Sequence, residues 1–381
     1  MHGLSLNCHR LVQSVVVTKS SLKKVKQQQS KLLFCCEFNL IGAAVQTKRN
    51  RHLFPELIRL EALIERLPRN VKATELARFS AGAESFPSYL IELGDFDAAK
   101  PSLLLTGGVH GLERIGSAVL IAFLESLLQR LEWDHGLQHQ LSQLNLLVLP
   151  MVNPVGMAQN KRSNGNGVDL MRNAPVDCED KAAFLVGGHN YSARLPWYRG
   201  NPAQPEAETT ALFQLVRQKL FQSTFSLVLD CHSGFGQVDR IWFPYAKSRK
   251  PLAHLAELYQ LRQLLFDSYP HQAYEFEPQS MHYLCHGDLW DYLYDESLQQ
   301  NTVFLPLTLE MGSWNWVRKN PFQLMSSLGL FHPVKPHRVR RVLRTHLTLF
   351  HFLIAATTSH QQWRRAMFPR MLRQQAMELW Y

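Results

Sequence analysis

Two histidines and two glutamates stand directly after short apolar segments of the sequence. His110 and Glu113 form a His-x-x-Glu pair behind a glycine-rich turn, while His232 and Glu310 each follow a further apolar segment. Imidazole nitrogen and carboxylate oxygen are common ligands of Zn²⁺, and catalytic zinc sites combine three protein ligands with one open position. The pattern therefore makes His110, Glu113 and His232 candidate ligands of one Zn²⁺.

Glu310 is the fourth member of this set, and we predict that it acts as a general base. A water that attacks a carbonyl must lose a proton, and a carboxylate outside the metal ligands can accept it.

A single His-x-x-Glu pair often occurs by chance. The joint placement of the four residues after three predicted strands is what indicates a site. Asp230, two residues before His232, is a candidate for orienting that ligand.

The elements that must position these residues follow from the hydrophobic pattern. Short apolar runs predict buried strands, and longer amphipathic segments between them predict helices. Strands that alternate with helices favour an α/β domain with a mixed, largely parallel sheet, and such sheets bind ligands at the carboxyl ends of their strands. The predicted buried strands are Ser102–Leu105, Leu144–Pro150, Ser226–Leu229 and Val303–Leu309, preceded by a predicted hairpin of Glu75–Phe79 and Ser88–Gly94. The main helices are Ser117–Leu131, Ala207–Phe221 and Leu252–Phe266.

The pattern divides the chain into three parts. Residues 1–51 are basic and lack periodicity, which predicts a flexible leader. Residues 52–330 are predicted to form one three-layer α/β/α domain. Residues 331–381 are predicted to form a basic, helical C-terminal extension with one long helix over Pro336–Ala356.

Composition and charge exclude several classes of protein. Hydrophobic residues make up 46% and charged residues 19% of the 381 residues, as in ordinary globular proteins. No apolar run reaches the roughly 18 residues of a membrane-spanning helix. The net charge of +10 is concentrated at the ends, because residues 1–51 and 332–381 each hold nine Lys or Arg and one acidic residue. No groove-reading motif accompanies these charges, so nucleic acid is not expected as a partner.

The cysteines and the N-terminus bear on location. None of the six cysteines forms a Cys-x-x-Cys pair, which argues against a thiolate zinc site and favours reduced thiols. The first residues show no signal-peptide pattern with a small-residue cleavage site. We therefore expect a cytoplasmic protein, while the sequence predicts no particular oligomeric state.

Further blocks lie between the predicted ligands, and their order resembles that of the zinc carboxypeptidases, the carboxypeptidase A-like family. They are Asn153-Pro154-Val155-Gly156, Asn160-Lys161-Arg162-Ser163-Asn164 and Gly167-Val168-Asp169-Leu170-Met171-Arg172-Asn173. Together with the His-x-x-Glu pair, the Asp-x-His-Ser block and the final Thr-x-Glu block, the resemblance runs from about Pro55 to Gly312. It implies a metallocarboxypeptidase with one Zn²⁺ and a glutamate base.

The resemblance also implies roles for four further residues. Arg162 would polarise the scissile carbonyl and stabilise its oxyanion, and Arg172 would bind the terminal carboxylate of the substrate. Tyr283 resembles the mobile tyrosine that closes over the substrate. Asp291 lies in the segment that helps to form the specificity pocket, although a structural role at a helix end is the alternative. A planar guanidinium suits both arginine roles, because it stays charged and can bind a carboxylate with two hydrogen bonds.

One departure keeps other functions open. The family has an asparagine before the carboxylate-binding arginine, and this chain has Met171, which cannot donate a hydrogen bond. The substrate is therefore expected to be a peptide or an N-acyl amino acid. The alternative is a zinc amidase or deacylase acting on a peptidoglycan stem peptide or an N-acyl amino acid, similar to aspartoacylase or succinylglutamate desuccinylase. A third possibility is an inactive domain whose basic ends bind nucleic acid or a membrane surface.

Overall fold

The computed structural model describes residues 54–325, 327–365 and 368–381. The predicted leader, residues 1–51, lies outside this range. The strands are β1 Val71–Ala81, β2 Glu84–Leu93, β3 Ser102–Gly107, β4 Asn145–Leu149, β5 Phe225–Ser233, β6 Asp239–Phe243, β7 Tyr274–Pro278 and β8 Val303–Met311. The helices are α1 Pro55–Ile64, α2 Arg114–Arg130, α3 His135–Leu141, α4 Pro154–Gln159, α5 Ala207–Lys219, α6 Leu255–Ser268, α7 Leu289–Ser297, α8 Trp314–Lys319, α9 Ser327–Phe331, α10 Pro336–Thr345, α11 Leu347–Thr358, α12 His360–Arg365 and α13 Pro369–Trp380.

The described strands form one eight-stranded sheet in the order β1-β2-β4-β3-β5-β8-β6-β7. The four central strands, β4, β3, β5 and β8, run parallel to one another. Antiparallel pairs join β2 to β4 and β6 to β8. This mixed, largely parallel sheet confirms the predicted fold class.

The central strands are apolar because helices cover them. Every residue of β3, β4 and β5 is buried, which is expected of parallel strands that are covered on both faces. Helices α2 and α11 pack against β3 and β5, and α7 packs against β8. In the edge strand β1 only Val71 and Phe79 are buried, and the other residues are partly or fully exposed. The sheet therefore has a dry centre, and its carboxyl ends are where polar side chains gather.

The C-terminal helices belong to the same core. Leu349, Phe350 and Ile354 of α11 are buried, and the Phe350 ring lies 5.0 Å from that of Phe123 in α2. The single long helix predicted over Pro336–Ala356 is instead two helices, because α10 ends at Thr345 and α11 begins at Leu347. Across the described residues, every helix is too short or too polar to cross a bilayer.

A close contact between α2 and β5 fixes the position of the strand that carries His232. A Cβ on Gly116 would lie 2.1 Å from the carbonyl oxygen of Cys231, the residue before that histidine. Real atoms do not approach so closely, so any side chain at this position would push the helix off the strand. Glycine is thus required here for packing between the helix and the sheet.

We expect Gly116→Ala to lower the free energy of unfolding by about 1–3 kcal/mol, the usual cost of overpacking a core. Gly136→Ala is the matched control, because the nearest atom to its added Cβ would be 3.5 Å away and alanine favours a helix. Urea denaturation of the two variants measures the difference. Equal stabilities for both variants would contradict the packing argument.

Candidate active site

The predicted metal ligands come from the ends of two neighbouring strands. His110 and Glu113 lie in the turn between β3 and α2, and Glu113 is the residue just before that helix begins. His232 is the penultimate residue of β5, which pairs directly with β3. On the other side of β5, His232 stands opposite Glu310 of β8 in the parallel register. The sheet thus brings all four predicted residues to one edge.

The three predicted ligands converge on a common point. His110 Nδ1 lies 2.9 Å from Glu113 Oε1, and His232 Nδ1 lies 3.0 Å from Glu113 Oε2. One ligand atom of each residue lies within 4.8 Å of the others, and all three residues are buried. Both imidazoles present the same ring nitrogen to the shared point.

Two buried aspartates hold the opposite nitrogens of the histidines. Asp169 Oδ1 lies 3.0 Å from His110 Nε2, and Asp230 Oδ2 lies 2.8 Å from His232 Nε2. The indole N–H of Trp290 donates to the same Asp230 oxygen at 2.9 Å. Such carboxylate–histidine pairs fix the ring orientation and the tautomer, and they make the free nitrogen a better metal ligand.

This donor set fits Zn²⁺. Two imidazole nitrogens and one carboxylate form the three-ligand type of catalytic zinc site. The two Nδ1 atoms face the carboxylate of Glu113, as ligands of one ion would face each other. Burial alone would raise the pKa of Glu113, but His110 and His232 outweigh it and hold this pKa well below its usual range. Glu113 is therefore ionised, as a metal ligand must be.

The environment of His232 is strongly anionic. Burial lowers the pKa of this imidazole, but Asp230 and Glu113 raise it well above its usual range. A site that stabilises a positive charge on the ring in this way also favours a cation in place of that proton. The charge balance around His232 therefore supports the same conclusion as the ligand geometry.

Glu310 lies beside the cluster but outside the ligand set. Its Oε2 atom is buried and has no hydrogen-bond partner. Burial, followed by the negative charge of Glu113, raises the pKa of Glu310 to about 8, although His232 and Arg162 oppose the shift. A carboxylate with an unengaged oxygen and a raised pKa is suited to accept and return a proton near neutral pH.

Arg162 reaches the cluster from the loop after α4. Its Nη1 donates to Glu113 Oε1 at 3.0 Å and its Nε donates to Asp169 Oδ2 at 2.8 Å. The guanidinium therefore lies next to a predicted metal ligand and is half-buried. This position agrees with the predicted contact to a substrate carbonyl, because a fixed positive charge there would stabilise a developing oxyanion.

Arg172 and Tyr283 form a second group. The Arg172 guanidinium is buried, and its Nε and Nη1 donate to the carbonyl oxygens of Val186 and Met171 at 3.1 and 3.0 Å. Its Nη2 lies 3.4 Å from the Tyr283 hydroxyl, and the guanidinium carbon lies 5.8 Å from the ring centre. Burial raises the pKa of Tyr283 to about 12, so the phenol keeps its proton at neutral pH.

Asp291 is placed differently from the other predicted site residues. Its carboxylate is fully buried and accepts hydrogen bonds from the backbone N–H groups of Ala246 and Lys247 at 2.7–3.0 Å. The residue that caps α7 is Asp288, whose side chain accepts from the N–H groups of Trp290 and Asp291. Both oxygens of Asp291 already hold a loop in place, and its contact with substrate stays a prediction.

Asp169 and Trp290 are parts of the site that the sequence did not predict. Asp169 stands in the Gly-Val-Asp block, but its partner His110 is 59 residues away, and no local pattern joins the two. Trp290 contacts Asp230 across 60 residues. The one available signal was Asp230, whose spacing of two residues from His232 suggested an orienting role.

The model of the family described as zinc carboxypeptidase matches residues 61–320, well over half of the chain. The chain belongs to this family. The match contains the three converging ligands, Glu310 and both arginines, and it confirms the predicted resemblance. It also supports Zn²⁺ as the cofactor of the His-Glu-His cluster.

Individual relatives and structures give the same family and fold. The chain is 30% identical over 107 residues to carboxypeptidase SOL1 of Arabidopsis thaliana, covering 27% of this chain and 22% of that protein. It is 28% identical over 180 residues to the carboxypeptidase N catalytic chain of Rattus norvegicus, covering 42% and 37%. The chain thus spans well under half the length of these curated relatives.

Two solved structures share the fold at low sequence identity. Carboxypeptidase A from Helicoverpa armigera superposes with a TM-score of 0.60 and 16% identity, covering 90% of this chain and 86% of that one. Thrombin-activatable fibrinolysis inhibitor superposes with a TM-score of 0.61 and 20% identity, covering 79% and 72%. These likenesses establish the fold, while the roles of single residues stay predictions.

We expect the purified wild type to hold about one Zn²⁺ per chain, and His232→Ala to lose it, because two remaining ligands bind weakly. Elemental analysis after reconstitution and gel filtration measures the metal. Glu310→Gln is the control and should keep its zinc, since Glu310 lies outside the ligand set. Zinc retained in His232→Ala, or absent from the wild type, would refute the predicted site.

The raised pKa of Glu310 predicts a pH-dependent stability of the metal-free protein. Between pH 5 and 8 this carboxyl is ionised when the chain is unfolded and protonated when it is folded, so stability from this group falls as the pH rises. Glu310→Gln removes that loss.

The free energy of unfolding of Glu310→Gln, relative to that of the wild type, should therefore increase from pH 5 to 8 by at least ~1.4 kcal/mol, the value of one pKa unit. This difference should level off above pH 8. Urea denaturation of the metal-free proteins measures it. Zinc-loaded protein is the control and should show a smaller change, because the ion favours the ionised carboxylate. A pH-independent difference without metal would contradict the predicted protonation.

Proposed function

We propose that this protein is a zinc-dependent carboxypeptidase that hydrolyses the peptide or amide bond next to a free carboxylate terminus. The proposal rests on the family, on the metal cluster and on one observation that distinguishes a carboxypeptidase from other zinc hydrolases. That observation is the state of Arg172, a buried cation that forms no ion pair with a carboxylate of the described residues.

The surroundings of Arg172 leave a place for an anion. Its described hydrogen bonds go to two backbone carbonyls and to the Tyr283 hydroxyl, and no described carboxylate forms an ion pair with it. A buried guanidinium is always charged, and an unpaired buried charge is costly. A substrate carboxylate would supply the missing partner. The site would therefore select a molecule that carries its own negative charge.

The remaining residues divide the chemistry between them. Zn²⁺ held by the three ligands would supply Lewis-acid polarisation at the reacting carbonyl. Glu310 would accept a proton from the attacking water and deliver it to the leaving amine. Arg162 would stabilise the negative charge that develops on the carbonyl oxygen. Each of these tasks needs a charged group at a fixed position. The strand ends carry the metal ligands and Glu310, and the loop after α4 carries Arg162.

Tyr283 would close the site over the substrate. Its ring lies 6.2 Å from that of Trp242 and 6.4 Å from that of Phe235. These neighbours hold the phenol against Arg172, where its protonated hydroxyl can donate to a bound carboxylate or carbonyl. The aromatic surroundings also make this part of the site suited to an apolar group of the substrate.

Met171 is the feature that favours a second candidate. It is buried, and its backbone carbonyl accepts from Arg172 while its thioether offers no donor. Binding of the carboxylate would thus depend on Arg172 and Tyr283. An N-acyl amino acid presents the same carboxylate next to an amide, so the second candidate is a zinc amidase or deacylase that acts on such molecules.

A substrate panel tests the proposal and separates the two candidates. Zinc-loaded protein is assayed against peptides with a free carboxylate, the same peptides with an amidated terminus, and N-acyl amino acids. Cleavage of free-carboxylate peptides that disappears on amidation and on chelation supports the carboxypeptidase. Cleavage of N-acyl amino acids alone would favour the deacylase, and no zinc-dependent cleavage of either would refute the proposal.

Within that panel, we expect Arg172→Ala to lower kcat/KM for free-carboxylate peptides by roughly 10²-fold or more, because loss of a buried charge partner costs about 2–5 kcal/mol. Arg66→Ala is the control, since that exposed side chain only donates to the carbonyl of Ala62 on α1. Activity on amidated peptides should be low and the same in wild type and Arg172→Ala. An equal loss on free and amidated peptides would argue against carboxylate recognition.

A further inference from the structure

Helix α9, which lies beyond the span that the family model matches, contacts the strand end that carries His232. The hydroxyl of Ser233 donates to the carbonyl oxygen of Phe331, the last residue of α9, at 2.6 Å. The backbone N–H of the same serine donates to Glu113 Oε2 at 3.0 Å. One residue therefore connects the metal cluster to a helix outside the matched span.

The ring of Phe331 occupies the space that a side chain of residue 234 would fill. Gly234 has φ +127°, and a Cβ built on it would lie 2.6 and 2.8 Å from two carbons of that ring. The same Cβ position is 3.9 Å from Glu113 Oε1. The absence of a side chain at Gly234 thus lets the aromatic ring reach the edge of the metal cluster.

The backbone that carries this ring is held by buried hydrogen bonds. The side-chain amide of Gln323, which is buried, donates to the carbonyl oxygen of Gly329 at 2.6 Å. A Cβ on Gly329 would lie 2.0 Å from the carbonyl oxygen of Gln323, so the two segments are in close contact. A side chain on such a supported element keeps a defined position in the site.

Phe331 differs in character from the other groups around the cluster. Glu310, Arg162 and Asp230 are polar, ionisable groups, whereas the half-buried Phe331 ring offers an apolar surface. In the proposed function, Arg172 and Tyr283 bind the carboxylate end of the substrate. The Phe331 ring lies next to Gly234 and Glu113, whereas the Tyr283 hydroxyl lies against Arg172.

We infer that Phe331 is a specificity-determining residue, whose ring forms an apolar wall for the substrate side chain on the acyl side of the cleaved bond. This inference rests on the proposed function. An apolar side chain gains binding energy when it leaves water for such a surface, whereas glycine gains none. The protein should therefore cleave a bond after leucine or phenylalanine better than a bond after glycine.

The test compares N-acetyl dipeptides that share one C-terminal residue and carry leucine or glycine before it. We expect Phe331→Ala to lower the leucine-to-glycine ratio of kcat/KM by about tenfold, mainly through a higher KM for the leucine substrate. Phe331→Leu keeps an apolar contact and should give an intermediate ratio. Phe322→Ala is the control, because Phe322 lies in the preceding turn and is 82% exposed. An unchanged ratio in Phe331→Ala with its zinc retained would overturn the inference.

A second readout does not depend on turnover. If the ring borders the metal cluster, its removal should speed the extraction of Zn²⁺ by the chelator dipicolinate several-fold, while Phe322→Ala releases zinc at the wild-type rate. Should the wild type cleave no dipeptide, the proposed carboxypeptidase function fails. The rates of zinc release alone then test whether the Phe331 ring borders the metal ligands. Equal rates for wild type and Phe331→Ala would then overturn it.

Discussion

A buried carboxylate is stable only when its oxygens are surrounded by donors or cations, and Glu113 meets this condition where β3 and β5 end. His110 and Arg162 face one of its oxygens, while His232 and the N–H of Ser233 face the other. The four groups come from the turn after β3, the loop after α4 and the end of β5. Saturation of this one side chain therefore fixes how three parts of the chain meet. The same arrangement places three metal ligands within reach of one ion.

The charges around Glu113 differ from the charge of Arg172 in one respect. Within the cluster, each charged group has a partner of opposite sign in the chain, and two aspartates extend the compensation to the far side of the histidines. Arg172 has carbonyls and a phenol around it instead. In the proposed function, the first group binds a cation and the second binds an anion of the substrate. A substrate with a carboxylate near a peptide or amide bond would satisfy both.

The sequence predicted the parts of the fold and the site that depend on local pattern. Continuous apolar runs revealed the four central strands, and glutamates and histidines at their ends revealed the ligands and Glu310. Strands β6 and β7 were missed, because Asp239–Phe243 and Tyr274–Pro278 carry charged residues and lack such a run. Asp169 was missed as a partner of His110, because contacts across 59 residues leave no periodic trace. The break between α10 and α11 was missed as well, since one amphipathic stripe continues through His346, which is buried against Tyr274.

The pairing of His232 with Glu310 across β5 and β8 has a mechanical consequence. Neighbouring strands are held about 4.8 Å apart by their hydrogen bonds, so the separation between ligand and base is set by the stiffest part of the molecule. The loops that carry Arg162 and Tyr283 can differ in length or sequence without altering that separation. In the proposed function, the distance between a metal ligand and the general base is therefore independent of the loops that bind the substrate. Such a division lets one invariant reaction geometry serve many different ligands.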